Sequence, residues 1–292
     1  MSLGETLLSI PKFLLTRNFR GGSKLTRRLA EQYPALQLYK ANVPGGFLFV
    51  DLRNNGAHLF LMGESLLSDE HLVMKRVVRP GEVAYDVGAN AGLFTVWLSS
   101  LVGKSGKVFS FEPNPAHQRC LRETISLLPN TELVQAGLSD IEGSFEFFVP
   151  ENDTMASFRD WTHGDGGAVL KTSCQVNTID SLVAAGTIAS PDFIKCDIEG
   201  GERDCFVGGR ETLNRKDAAI ILFEANINST KGYGHALSSG LDFLATLAEP
   251  KYSFFAVAKD GVLEPIKTVT FLHGNILAVP EAKMDRLSRV SG

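Results

Sequence analysis

Residues 82–92 read EVAYDVGANAG, a short apolar run that ends in an acidic residue and then two glycines four positions apart. The run is short and apolar, as a buried strand is, and the apolar residues of AGLFTVWLSSLV behind it recur at three- and four-residue spacing, as in a helix. Glycine at 88 and 92 lets the backbone turn sharply and leaves no Cβ between the main chain and a ligand. The helix beginning near Ala91 adds N–H groups that lack intrahelical partners. Strand, glycine turn and helix together make a surface for something to lie against.

Outward from this unit the pattern repeats. KVFSFE (107–112) and TELVQAGL (131–138) read as the second and third strands, with the helix PAHQRCLRETISLL between them. SFEFFV (144–149) reads as an added strand, and ENDTMASFRDWTHGDGG (151–167) as a Gly- and Asp-rich covering loop. CQVNTID precedes a short helix near Ser181, with Asp180 or Ser181 as its cap. DFIKCDI is the fourth strand, GERDCFVGGRETLNR a helix, AAIILFEAN the fifth strand and YGHALSSGLDFLATLA a helix. YSFFAVAKDG and NILAVP form a terminal antiparallel pair. Strands alternating with helices predict a parallel α/β sheet. The domain expectation is a helical and β-hairpin extension over residues 1–64 and one large domain over 65–292.

The chain has 292 residues, 44% hydrophobic and 21% charged, with a formal net charge of −4. That composition suits a globular protein and offers no long-range attraction for nucleic acid. Lys12, Arg17, Arg20, Lys24, Arg27 and Arg28 make the first forty residues basic beside an apolar set that includes Leu7, Ile10 and Phe13. Pro11 and Gly21-Gly22 interrupt that pattern, so a helix packed on the main domain is favoured over peripheral membrane contact. No apolar run approaches the roughly 20 residues needed to span a bilayer. Cys120, Cys174, Cys196 and Cys205 form no CxxC pair, which predicts reduced thiols and a cytoplasmic protein.

Open parallel sheets bind ligands at the carboxyl ends of their strands. A dinucleotide fingerprint wants GxGxxG and a pyrophosphate over the helix start, but its third position here is Asn90 and Asp86 would repel the phosphates. A cationic ligand tolerates Asp86 better, and the sulfonium and amino group of S-adenosylmethionine both favour carboxylate. Glu112, at the tip of the second strand, is placed to accept ribose hydroxyls. The pattern predicts an adenosyl cofactor.

Together with FEPNP (111–115), LSDIEG (138–143), TIDSL (178–182) and IKCDIEGGE (194–202), the stretch DVGANAG resembles the FkbM-type S-adenosylmethionine-dependent methyltransferases over about residues 65–230. The resemblance implies a class I methyltransferase fold, Rossmann-like and doubly wound, with seven strands of which the last is antiparallel. It implies methyl transfer, usually to a hydroxyl of a natural product or sugar, with S-adenosylhomocysteine as product. Carried over, Asp86, Gly88, Asn90 and Gly92 would line the methionine end, Glu112 the ribose, and Leu138, Ser139 and Asp140 the adenine edge. Cys196 and Gly201 depart from the family's commoner aliphatic residue and alanine.

In IKCDIEGGE, alternate residues of an extended strand share a face, so Lys195, Asp197 and Glu199 would point together while Ile194, Cys196 and Ile198 face the core. Asp197 is the candidate base or acceptor-orienting group, Glu199 the second contact and Lys195 the electrostatic partner. Asp197, Glu199, Glu202 and Glu224 could also offer oxygens to Mg²⁺. Lys195 at the same spot opposes that reading, and no metal is expected. Glu202 reads as a helix-start charge. Glu224 and Asn226 close the fifth strand and could border the acceptor pocket, with Ser157 and His163 reaching in from the covering loop. His117 and His71 read as helix-surface residues and His273 has no assignment. The competing functions are a metal-dependent sugar O-methyltransferase and a cofactor-binding scaffold without turnover.

Overall fold

The structure is a computed structural model that describes residues 21–54, 57–65, 68–150, 155–162 and 169–288. Lys12, Arg17 and Arg20 of the basic N-terminal stretch, and His163, lie outside them.

The main sheet has the strand order Leu263–Ile266, Ser253–Val257, His273–Val279, Ile220–Asn226, Phe193–Cys196, Val83–Val87, Lys107–Phe111, Thr131–Val134. Its parallel part comprises β3 (Val83–Val87), β4 (Lys107–Phe111), β5 (Thr131–Val134), β9 (Phe193–Cys196) and β10 (Ile220–Asn226). β13 (His273–Val279) enters antiparallel beside β10, and β11 (Ser253–Val257) pairs antiparallel with β13. The expected terminal antiparallel pair is therefore present. The strand count is eight, not seven, because β12 (Leu263–Ile266) folds back on β11 as an extra edge strand. TELVQAGL, read as one strand, divides after Val134: β6 (Gly137–Leu138) leaves the main sheet and joins β7 (Gly143–Val149) and β8 (Leu170–Asn177) in a small second sheet. Gly137 permits the departure, since a Cβ there would lie 2.5 Å from the Phe158 ring.

Period-two alternation assigns the strand residues to two cores. Ile221, Phe223 and Ala225 of β10 face one layer with Phe206 and Leu244, while Ile220 and Leu222 face the other with Met74, Trp97 and Leu98. The second face turns polar at the carboxyl tips of three strands. There Asp86 follows Ala84, Lys195 follows Phe193 and Glu224 follows Leu222, with Asp86 and Lys195 direct parallel partners.

Ahead of the sheet, helix α1 (Gly22–Gln32) and the hairpin of β1 (Tyr39–Val43) and β2 (Gly46–Val50) bury Ala30, Leu36, Leu48 and Val50 against Val96. The Phe49 N–H donates to Thr124 Oγ1 at 2.9 Å. The described part of the extension is thus packed onto the sheet's helices. No helix among the described residues is long and apolar enough to cross a membrane.

Candidate active site

The carboxyl tips of β3, β4, β9 and β10 open on a cavity of about 430 Å³. Its described lining includes five carboxylates, from Asp51, Glu112, Asp197, Glu199 and Glu224, and neither lysine nor arginine.

The glycine turn sets its floor. Gly88 and Gly92 have φ of 86° and 98°, and Asn90 sits in the left-handed region at 50°. A Cβ on Gly88 would lie 2.0 Å from the Asp197 carbonyl oxygen, so only glycine lets the first turn pass under the tip of β9. The Gly88 and Ala89 N–H groups both donate to the Phe111 carbonyl. At the tip of β4, the buried Glu112 accepts from the Asn90 N–H at 2.7 Å and the Asn114 N–H at 2.8 Å. His117 Nδ1 lies 3.9 Å from that carboxylate.

Asp86 is placed differently from the sequence expectation. It is 1% exposed and does not line the cavity; Thr95 Oγ1 donates to its Oδ2 at 2.5 Å and lies 2.9 Å from Ser110 Oγ. Burial pushes the Asp86 carboxyl up to about 6, against the Thr95 bond and Lys195, which pull it down. It braces the turn from beneath.

At the other end, Lys195 is 1% exposed and its Nζ donates to Asp197 Oδ2 at 3.0 Å, with the Phe94 ring 4.8 Å away. β9 ends at Cys196, and Glu199 adopts φ of 55°. A left-handed glutamate costs about 1–2 kcal/mol, a strain that persists where surroundings demand it. The turn carries Glu199 to Glu224: Asp197, Glu199 and Glu224 each offer an oxygen, all within 4.8 Å of one another. Two ionised carboxylates at that separation repel by about 3–4 kcal/mol at an effective dielectric near 20. Glu199 Oε2 and Glu224 Oε2 are both buried without a hydrogen-bond partner among the described residues. Burial, then Glu224, Asp197 and Glu202, push the Glu199 carboxyl up to about 9, opposed by Lys195. Glu224 is raised by burial and by Asp197, opposed by His273, whose Nε2 lies 2.7 Å from Glu224 Oε1.

Glu202 turns away from this group. Its carboxylate accepts from the Ile198 and Gly200 N–H groups at the start of the helix Glu202–Val207.

Other expected residues are placed as follows. Leu138 and Ser139 line the cavity, whereas Asp140 is exposed and accepts from the Ser139 hydroxyl. Ser157 is buried; its hydroxyl donates to the Glu199 carbonyl and lies 2.9 Å from the Tyr233 hydroxyl, so it clamps the β9 turn. Asn226 caps the helix Ile227–Gly232 by accepting from the Asn228 N–H. Neither Ser157 nor Asn226 is in the cavity wall.

A lining with five carboxylates and no lysine or arginine among the described residues favours a cationic nucleoside over a pyrophosphate. A family model for the methyltransferase FkbM domain matches residues 86–254. The chain belongs to the FkbM methyltransferase family. It is an S-adenosylmethionine-dependent methyltransferase. Among relatives, 2-O-methyltransferase NoeI of Sinorhizobium fredii is 28% identical over 168 residues, covering 52% of this chain and 67% of that protein. Hexuronic acid methyltransferase AglP of Haloferax volcanii is 29% identical over 150 residues, covering 50% of this chain and 58% of AglP. The matched region thus spans between about half and two thirds of each relative's length. A solved FkbM methyltransferase from Methylobacillus flagellatus aligns over 73% of this chain and 50% of that one, with TM-score 0.45 and 16% identity.

Several residues of this FkbM site escape sequence reasoning. His117, read as a surface residue, is 4% exposed and lines the cavity beside Glu112. Only its place two residues after the FEPNP turn could have hinted at that. Asp51, Asn54 and Phe60 bring the N-terminal extension into the wall. No motif marks them. Asp180 does not cap its own helix, which Thr178 caps; its carboxylate accepts from the Glu211 and Thr212 N–H groups.

Proposed function

We propose that this enzyme transfers a methyl group to a hydroxyl of a small polyhydroxylated acceptor, a sugar or glycoconjugate. The observation that carries the reading is the Lys195–Asp197 pair standing on the same cavity as the glycine turn and Glu112. The names of NoeI and AglP, one a 2-O-methyltransferase and one acting on hexuronic acid, support the acceptor class.

Bound S-adenosylmethionine supplies the methyl group on a sulfonium with a good thioether leaving group. Gly88 and Asn90 would hold its methionine end, Glu112 with His117 its ribose, and Leu138 and Ser139 its adenine edge, whereas Gly92 is outside the wall and packs on Leu121 and Thr124. The chain's task is then to place the acceptor oxygen in line and manage its proton. Asp197, fixed by Lys195, accepts a hydrogen bond from the attacking hydroxyl and orients it. Glu199 and Glu224 border the same oxygen. Lys195 supplies the local positive charge, and the mechanism proceeds without a metal.

Incubating the enzyme and cofactor with a panel of hydroxylated glycosides, followed by mass spectrometry and linkage analysis, tests this. A gain of one methyl as an ether on a sugar hydroxyl is expected. Methylation only at nitrogen or carbon would overturn it.

A further inference from the structure

Methyl transfer to a hydroxyl leaves one proton to place: the O–H bond breaks as the O–C bond forms, and the C–S electron pair returns to sulfur. A base must therefore be ionised when the acceptor is in position. Asp197 is committed to Lys195 at 3.0 Å. Glu199 and Glu224 each keep a buried oxygen without a partner among the described residues, and an oxygen of each lies within 4.8 Å of the other. Two carboxylates so placed resist simultaneous ionisation, and one proton between them relieves both.

We propose that Glu199 and Glu224 hold one proton between them in the free enzyme, and that the sulfonium charge of the cofactor expels it, leaving a carboxylate to take the acceptor's hydroxyl proton. The base is thereby armed by the methyl donor and stays unarmed with the neutral thioether product. This rests on the proposed hydroxyl-directed reading and divides its labour: Asp197 holds the hydroxyl and the glutamate pair takes the proton.

The surroundings agree. Among the described residues, the charged groups facing the pair are Lys195 of β9, Asp197 just past its end, Glu202 from the helix start and His273 from β13. Lys195 is the one lysine or arginine among them, and it is paired with Asp197. A further positive charge in the cavity therefore acts on the glutamates. The high value of Glu199 accords with a proton held at neutral pH. His273, 66% exposed and in contact with Glu224, links the buried pair to solvent and gives the proton a way out.

S-adenosylmethionine and S-adenosylhomocysteine differ by the sulfonium charge, which also lowers the pKa of the nucleotide's own α-amino group. At neutral pH that amine is mainly protonated in both, so comparing them there isolates the effect on the enzyme. Titration calorimetry at pH 7 in EDTA-treated phosphate and Tris buffers, whose ionisation enthalpies differ, counts the protons exchanged on binding. About one proton released with S-adenosylmethionine and close to none with S-adenosylhomocysteine is expected. Glu199→Gln and Glu224→Gln should each abolish the difference while both nucleotides still bind. Equal counts for the two nucleotides, or a difference that survives both substitutions, would overturn the shared proton and leave hydroxyl methylation standing. Glycosides methylated only at nitrogen or carbon would overturn the hydroxyl reading independently of the proton count.

Discussion

At the tips of β3 and β4 the carboxylates are saturated from within. Asp86 accepts from Thr95, and each oxygen of Glu112 accepts from a backbone N–H. At the tips of β9 and β10 Asp197 has Lys195 and one Glu224 oxygen has His273, yet Glu199 and Glu224 each keep a buried oxygen with no partner among the described residues. A buried polar atom without a partner costs about 1–3 kcal/mol. One end of the cavity is therefore finished by the fold, and the other stores an unfavourable arrangement that a ligand can relieve. Preorganisation suits the nucleotide, which every turnover uses alike. Stored strain suits the site where charge and protons must move.

The comparison can be broken most forcefully at the point where the two ends touch. Gly88→Ala should destabilise the protein by about 3 kcal/mol or more, from a left-handed alanine and a backbone collision. A urea midpoint unchanged from wild type would show that the ends are not in contact. Asp197→Asn should lower turnover by about 100-fold while leaving S-adenosylhomocysteine affinity within about twofold. A comparable loss in binding would place Asp197 at the cofactor end instead. Glu112→Gln should do the converse, weakening cofactor binding about tenfold, near 1.4 kcal/mol, as calorimetry would read.

A subtler difference lies in pH. Asp86, Glu202 and Glu199 have carboxyls raised to about 6, 8 and 9. A raised carboxyl stabilises the fold fully below its unfolded value near 4 and loses that contribution as pH climbs through the folded value. Stability of the wild type relative to Glu199→Gln should therefore decline between pH 5 and 9, measured by urea unfolding at each pH. A constant difference would mean that Glu199 ionises freely. The smallest expected effect is that of metal removal: activity should stay within about twofold after thorough EDTA treatment. The spacing of Asp197, Glu199 and Glu224 would also accept a hard cation, and loss of activity restored by Mg²⁺ would assign them to it.

The same contrast explains what could be read in the sequence. The cofactor end is local: Gly88, Asn90, Gly92 and Glu112 lie in two strand–turn–helix units, where glycine spacing and an acidic strand tip carry the information. Lys195 and Asp197 were legible too, because residues two apart on a strand share a face. The acceptor end depends on distant pairings. Glu199 reaches Glu224 only through a left-handed turn at a residue type that does not advertise one, and His273 arrives because β13 inserts beside β10. The seven-strand expectation came from the family resemblance and did not include β12, whose LEPI carries a proline that suits an edge strand. Ser157 and Asn226 have the chemistry of substrate ligands, yet local clamping and capping claim them.

The passage of Gly88 beneath the Asp197 carbonyl bears on attempts to redirect this enzyme. Because a Cβ at 88 would meet a backbone carbonyl, no side-chain rotamer can absorb a substitution there. Grafting an acceptor pocket from a relative would succeed only if the segments 86–92 and 195–202 travelled together as one cassette, while the loops and the N-terminal hairpin around them could be exchanged piecemeal.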